Sequence, residues 1–516
     1  MGLIALVAAY AFLDLVAAAP NSPLLPPLPK GVGVPAWMAR GAGDIGLDRI
    51  GRFGLTLAAI SALAVAAAAF VVVLVEALRG RAGMGAMAVA AAGSLLLAVL
   101  APVLLSRDVY SYAAYGRSLA LHHANPYATP PSAFPHDPFT AVTSPEWRDT
   151  RSVYGPAFTL LSAGIARLWS GSPAGTIAAF KVVAALAVAA AAGFGAAAAR
   201  LWGAPARAPA AILLIALNPV MVIHTVGGGH NDALVAAGLA AAAFLAAPRA
   251  RSDGPLPFAV TAVLTVTTLV KIVAAIPLLL WVWSVAALRP RDRRARAVDK
   301  HAAVAAAAAV AGTVPVLAGW RTVTALANLA SRQGWASGAR LVARGAEAVG
   351  RGLGPASLGT TLGDLVYAAF LILFGLVLWR LRDGPGLPPG RWAAGLLAFA
   401  LAAPYLLPWY SAWFLCVLAL MADEGLLWTG VAASCLLALT GVPAEPGSAP
   451  ALWRDMVLAV HYAAAPVMLA LLGSVLWRTL LVPRRRGRRP AGTVGPAGPA
   501  GSVGTVGSVG SIGSGP

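Results

Sequence analysis

Asp108 is the residue in this sequence best placed for chemistry. It follows an apolar run, "AVAAAGSLLLAVLAPVLL" (88–105), and lies in the stretch "SRDVYSYAAYGRSLALHHANPYA" (106–128). Ionisable groups at the edge of a membrane segment are costly and mark function by default. A carboxylate there has water on one side and lipid headgroups on the other. It can accept a proton from a sugar hydroxyl while a lipid-borne leaving group stays in the membrane. The competing role is structural, since Asp is a good N-cap for a surface helix over 109–121. Tyr110, Tyr112 and Tyr115 follow, then Asn125 and Tyr127 in "NPY", "SPEWRDT" (144–150), and Tyr154 in "YGP". Aromatic faces with Asn and Arg donors and Asp acceptors suit a carbohydrate, although an interfacial aromatic belt would use the same tyrosines. His122 and His123 are adjacent, so on a helix they point apart and need other ligands before they make a metal site.

Three further clusters carry polar groups inside apolar surroundings. In "VGGGHNDAL" (226–234) three glycines permit close backbone approach, and His230, Asn231 and Asp232 then open a helix. A glycine turn followed by an ordinary cap gives the same pattern. No Lys-Ser/Thr follows the glycines and no strand precedes them, so this is not a nucleotide phosphate loop. Lys271, in "LVKIVAAIPLLLW" (269–281), lies at the middle of the long apolar run 257–288, where it either snorkels to the interface or serves as a cation for a lipid phosphate. "PYLLPWYSAW" (404–413) adds Trp409 and Tyr410.

The elements that must position these residues are membrane helices. Of 516 residues 59% are hydrophobic and only 11% charged, and the mean hydropathy is +0.78. Soluble domains carry about a quarter charged residues, so an all-α polytopic membrane protein is expected. The net charge of +19 is then the arginine excess of cytoplasmic loops, and no nucleic-acid partner is implied. Cys416 and Cys435 lie in apolar runs and form neither a disulfide framework nor a metal pattern.

Candidate spans are 1–19, 53–78, 83–105, 210–226, 231–247, 301–319, 363–380, 392–408, 410–422, 425–441 and 456–480. Residues 156–198 read either as one span with a surface helix or as three short spans. Arginines at 79–81, 249–251, 289–296, 380–382 and 484–489 lie in short connections. Placed inside, they force 257–288 to start and finish on the cytoplasmic face, as a hairpin with Lys271 near its turn. A lysine at the centre of a straight span would cost roughly 2.5–3.5 kcal/mol or more. By the same logic "GGGHND" turns outward and both chain ends are cytoplasmic. Four long external loops follow, 20–52, 106–155, 320–362 and 442–455. Asp108, the glycine turn, Lys271 and "PYLLPWYSAW" then gather at the extracytoplasmic face. The domain expected is 1–482, followed by a basic, then Gly/Ser/Val-rich, disordered tail over 483–516.

"SRDVYSYAAYG", "NPY", "SPEWRDT", "YGP", "NPVMVIHTVGGGHNDAL", "LVKIVAAIPLLLW" and "PYLLPWYSAW" occur in this order. Together they resemble the actinobacterial polyprenol-phosphomannose-dependent α-1,6-mannosyltransferases of the lipomannan and lipoarabinomannan backbone, across most of 1–482. The resemblance implies a GT-C membrane glycosyltransferase with roughly 12–16 transmembrane helices and a large catalytic first external loop. It implies Asp108 as catalytic carboxylate and Lys271, with Arg107, as holders of the lipid phosphate. His230, Asn231 and Asp232 are expected to line the site. The expected donor is polyprenyl phosphomannose, the acceptor an α-mannan of the lipomannan type, and the partner surface the lipid bilayer. No cofactor is implied, and inverting displacement of an anionic phosphate requires no metal. Within the same architecture an arabinosyl or glucosyl donor is an alternative, and a lipid-sugar transporter is another.

Overall fold

The computed structural model of the chain describes residues 1–247, 255–322, 332–382 and 388–482. Among these the ordered elements are helical. That is what lipid demands, because a helix satisfies its own backbone N–H and C=O groups within one segment. Five helical stretches are long and apolar enough to cross a bilayer: Arg52–Leu78, Pro173–Leu201, Pro205–Val226, Ala356–Arg382 and Pro450–Leu481. Shorter apolar helices of 10–17 residues stand beside them. The protein is an all-helical membrane protein, consistent with the GT-C architecture. The tail over 483–516 lies outside the described residues.

The breaks between helices matter most for the site. Helices α1 (Gly2–Ala18), α2 (Ala36–Asp44), α3 (Arg52–Leu78) and α4 (Met84–Leu100) come first. α4 stops short of the expected 105 because Pro102 cannot continue it and holds Ala101 extended, at ψ 158°. A non-helical link over 101–107 leads into α5 (Asp108–Ala120). The short α6 (Pro145–Arg148) follows. The undecided stretch 156–198 is two helices, α7 (Pro156–Leu168) and α8 (Pro173–Leu201). Their junction has a local cause: Ser172 caps α8 by accepting from Gly175 N at 3.0 Å, with Pro173 at the first helical position.

α9 (Ala208–Ala216) and a π-helical stretch, Val220–Val226, lead through the glycine turn to α10 (Asp232–Leu245). The expected interruption at Lys271 is present. α11 (Pro255–Val270) ends there, Lys271 is extended (φ −152°, ψ 128°), and a 3-10 turn, Ile272–Ala274, starts α12 (Ala275–Ala287). α13 begins at Arg294 and runs to Thr313, so the later residues of the basic cluster form its first turns, while Arg289, Arg291 and Arg293 stay in the connection. Within the expected external loop 320–362 the chain forms a helix, α14 (Gly338–Leu353). Then come α15 (Ala356–Arg382), α16 (Pro388–Ala402), α17 (Ala412–Leu418), α18 (Glu424–Ala438) and the stretch Pro450–Leu481.

α10 is central, packing on α8, α11 and α17, while α5 lies against α7. Where the loop after α6 meets α11, the chain needs glycine. Gly155 N donates to Val270 O at 3.2 Å. A Cβ at Gly155 would sit 2.0 Å from Leu269 O. This contact seats Tyr154 beside the Lys271 break. Replacing Gly155 by Val should therefore destabilise the protein by about 1–3 kcal/mol. Thermal unfolding of the detergent-solubilised protein reads the loss, and an unchanged midpoint would contradict the close approach.

Candidate active site

Asp108 is the first residue of α5, and its carboxylate does not cap the helix. No side chain caps α5, and the Asp108 N–H instead donates to Ser106 Oγ at 3.1 Å. The capping role weighed for Asp108 therefore falls away. Its carboxylate is 19% exposed, with His230 Nδ1 3.6 Å from Oδ2. Burial is the main force on this group, pushing its pKa up to about 7; the Lys271 cation opposes the rise, and Asp232 and Glu146 add to it. The His230 ring is driven well below its ordinary pKa, first by burial and then by Lys271 and His224. His230 is thus a neutral polar neighbour of Asp108, not its counter-charge.

The glycine turn, the α11–α12 break and the Trp-rich motif meet at one ion pair. Asp232 opens α10 and is fully buried. Its two oxygens accept from Lys271 Nζ at 2.8 and 2.9 Å. Trp413 Nε1 donates to the same carboxylate at 2.6 Å. The ammonium also lies over Tyr410, 4.9 Å from the ring centroid, and over Trp413 at 5.4 Å. Tyr410 and Trp413 stack on each other with centroids 4.0 Å apart. His230 stacks on Trp409 at 3.7 Å, and its Nδ1 is 3.3 Å from Tyr112 OH. Tyr112 OH also approaches Asn231 Oδ1 at 3.4 Å.

A cavity of about 520 Å³ opens against this cluster. Its wall includes Asp108, Tyr154, Lys271, Trp409, Tyr410 and Trp413 together with the apolar Phe370, Leu371 and Phe374 of α15 and Phe399 of α16. The remaining expected residues stand elsewhere. Arg107 is engaged by Glu445, Nε to Oε1 at 2.6 Å, and is not in the cavity wall. Asn125 Nδ2 donates to Val316 O at 3.1 Å, while its Oδ1 accepts from Tyr127 N at 3.0 Å. Tyr127 is 1% exposed, and its hydroxyl donates to Tyr154 O at 2.7 Å. Those two residues brace the loop. Tyr110 and Tyr112 are also buried, so a lipid-facing aromatic belt does not describe them. His122 Nε2 is 3.0 Å from Asp137 Oδ2. Among the described residues no group of three or more His, Cys, Asp or Glu side chains is placed to hold a metal ion.

Several wall residues were not singled out in the sequence. Trp147 sits inside "SPEWRDT", and Tyr405 and Trp413 inside "PYLLPWYSAW", so motif membership was their signal. Arg332 is not in the wall but backs it, with its guanidinium 4.9 Å over Trp147 and Nη1 3.6 Å from Glu146 Oε1, and it carried no such signal.

Residues 32–287 match a family model described as alpha-(1->6)-mannopyranosyltransferase, N-terminal domain, and residues 349–474 match one described as MptB C-terminal domain. The chain belongs to this family. Among this family's curated members, alpha-(1->6)-mannopyranosyltransferase A of Mycobacterium tuberculosis (strain ATCC 25618 / H37Rv) is 31% identical over 356 residues, 63% of this chain and 64% of that protein. The protein of the same name from Corynebacterium glutamicum is 32% identical over 186 residues, 36% of each. The match thus spans less than two thirds of either relative's length. No solved structure matches the chain.

If the Asp232–Lys271 pair locks these elements together, removing one partner should be worse than removing both. Asp232→Ala strands a largely buried ammonium and should cost about 3–5 kcal/mol, with Asp232→Ala/Lys271→Met recovering much of it. Unfolding in detergent measures both, and a double variant no more stable than the single would contradict the lock.

Proposed function

We propose that this membrane protein transfers mannose from polyprenyl phosphomannose to the 6-hydroxyl of an α-mannan acceptor at the extracytoplasmic face, with Asp108 as general base. The observation that carries the reading is the cavity wall, which combines a carboxylate and an ammonium with apolar side chains of α15. A lipid-linked sugar combines a phosphosugar head with a hydrocarbon tail in the same way. The relatives' names supply the sugar and the linkage. A lipid-borne donor also fits the short inward connections: α12 ends at Ala287 and helix resumes by Arg291, far below an independent nucleotide-sugar domain of roughly 50 residues.

In the step itself, the acceptor O6–H gives its proton to the Asp108 carboxylate as O6 bonds to the anomeric carbon. The bond from that carbon to the phosphate oxygen breaks, and the oxygen keeps the electron pair. Attack opposite the phosphate turns a β-linked donor into an α-linked product in one displacement. Lys271 is the cation for the leaving phosphate. Two of its N–H groups serve Asp232, and the third is available to the phosphate. Arg107, already paired with Glu445, is not assigned that role. Trp409 and Tyr410 in the cavity wall form a rigid floor for the sugar, each backed by a stacked ring: the buried His230, which does not itself reach the cavity, and Trp413.

A base works only when deprotonated, and the Asp108 carboxyl is held up to about 7. The sign follows: kcat/KM should fall about tenfold per pH unit below that value and level off above it. Membranes carrying the protein, given labelled polyprenyl phosphomannose and a short α-1,6-mannoside across pH 5–9, read this profile. An arabinosyl and a glucosyl phospholipid run beside it. Transfer of mannose with the rising limb supports the reading. Transfer only from another sugar donor moves it to that sugar, and vectorial movement of lipid-linked sugar without transfer overturns it in favour of a transporter.

A further inference from the structure

We propose that Lys181 is a positioning residue, buried in α8, that holds the link carrying Asp108 and underlies the turn carrying His230. The inference rests on Asp108 as the base. Lys181 is 1% exposed within a helix long enough to cross the membrane, where an ammonium is expensive and functional by default. It is not part of the cavity wall, so it is not a second phosphate ligand.

Its partners explain its presence. Lys181 Nζ donates to the carbonyl oxygens of Ala101 and, at 3.1 Å, of Pro102. These follow the end of α4, where helix termination leaves carbonyls without intrahelical donors. An ammonium there satisfies them and meets the negative end of the helix dipole. Asp14 of α1 lies within electrostatic range, is 2% exposed, and has no hydrogen bond of its own.

From Pro102 the chain has no slack before Asp108. Leu104 N donates to Gly227 O at 3.1 Å, and Leu105 N to Leu24 O at 2.8 Å. Leu105 takes φ +62°, a left-handed conformation that a leucine adopts only when its surroundings enforce it. Arg107 then pairs with Glu445. The same lysine reaches the other half of the site. A Cβ on Gly229, which has φ +69°, would lie 3.5 Å from Lys181 Cγ and 3.2 Å from Val109 Cγ2. The lysine stem thus packs beneath the turn, while its head ties down the link to Asp108.

The test uses the full chain in membranes, with polyprenyl phosphomannose and a short α-1,6-mannoside, and rates normalised to folded protein. Lys181→Met keeps the stem and removes the donors. Misplacing a base by about 1 Å costs on the order of 10²-fold. That loss is expected in kcat with donor KM little changed, and Lys181→Arg should restore most of the rate. A wild-type kcat per folded Lys181→Met molecule, or a loss confined to the amount of folded protein, overturns the proposal. Should Lys181→Met not fold, Lys181→Gln is measured instead; its shorter amide cannot make the same bonds, and a wild-type kcat in it also overturns the proposal. Absence of transfer by the wild type points to the functional reading instead. The labelling rate of Asp108→Cys by a water-soluble maleimide, with and without Lys181→Met, then decides: a changed rate supports positioning, and equal rates overturn it.

Discussion

Charge survives inside a membrane bundle only where it is paired, and the Asp232–Lys271 contact is where this chain meets that constraint. The carboxylate opens α10 after the glycine turn, and the ammonium stands at the break between α11 and α12. Trp413 of α17 completes the carboxylate's bonds. Without the pair, a lysine at the α11–α12 break and an aspartate at 0% exposure would each face a heavy desolvation penalty. With it, three segments distant in sequence are fixed in register, and the Tyr410–Trp413 stack is held beneath the ammonium. A rigid aromatic floor against Asp108 is the consequence.

The same logic recurs around Asp108. Its approach is not a flexible loop but a link bonded to its surroundings at almost every step, through Lys181, Gly227, Leu24 and Glu445. Helices supply the walls, and the breaks between them supply the chemistry. Pro102 ends α4, the glycines turn the chain before His230, and Lys271 interrupts what would otherwise be a single overlong helix. Each break leaves polar backbone that must be satisfied, which is tolerated only inside protein or against a cavity. A bundle with uninterrupted spans would have had no place for a carboxylate with a pKa near 7.

How much of this was legible depended on range. The Lys271 break could be read locally, because a central lysine in a run too long for one span has few other solutions. The Ser172-Pro173 start of α8 was equally local, yet the alanine-rich run that follows it, without internal breaks to read, left open whether 156–198 held one span or three. Long-range pairing was not legible. Asp232 is 39 residues from Lys271, and Glu445 is 338 from Arg107, so the sequence displayed two available cations where the fold holds two engaged ones. Asn125 and Tyr127 looked like sugar ligands for a related reason. Their side chains match that chemistry, but their bonds go to Val316, Tyr154 and each other. Residue type reveals what a group can do, whereas which partner takes it is a property of the packed bundle.

The central claim is that Asp108 stands where a lipid-anchored donor meets an acceptor from water and takes the acceptor's proton. Its most direct test is single-turnover mannosyl transfer from saturating polyprenyl phosphomannose, comparing wild type with Asp108→Asn at equal amounts of folded protein. The amide keeps the size of the carboxylate and cannot accept the proton. The account predicts a rate lower by on the order of 10²–10⁴-fold with donor binding retained. An Asp108→Asn protein that transfers mannose at the wild-type rate would contradict it.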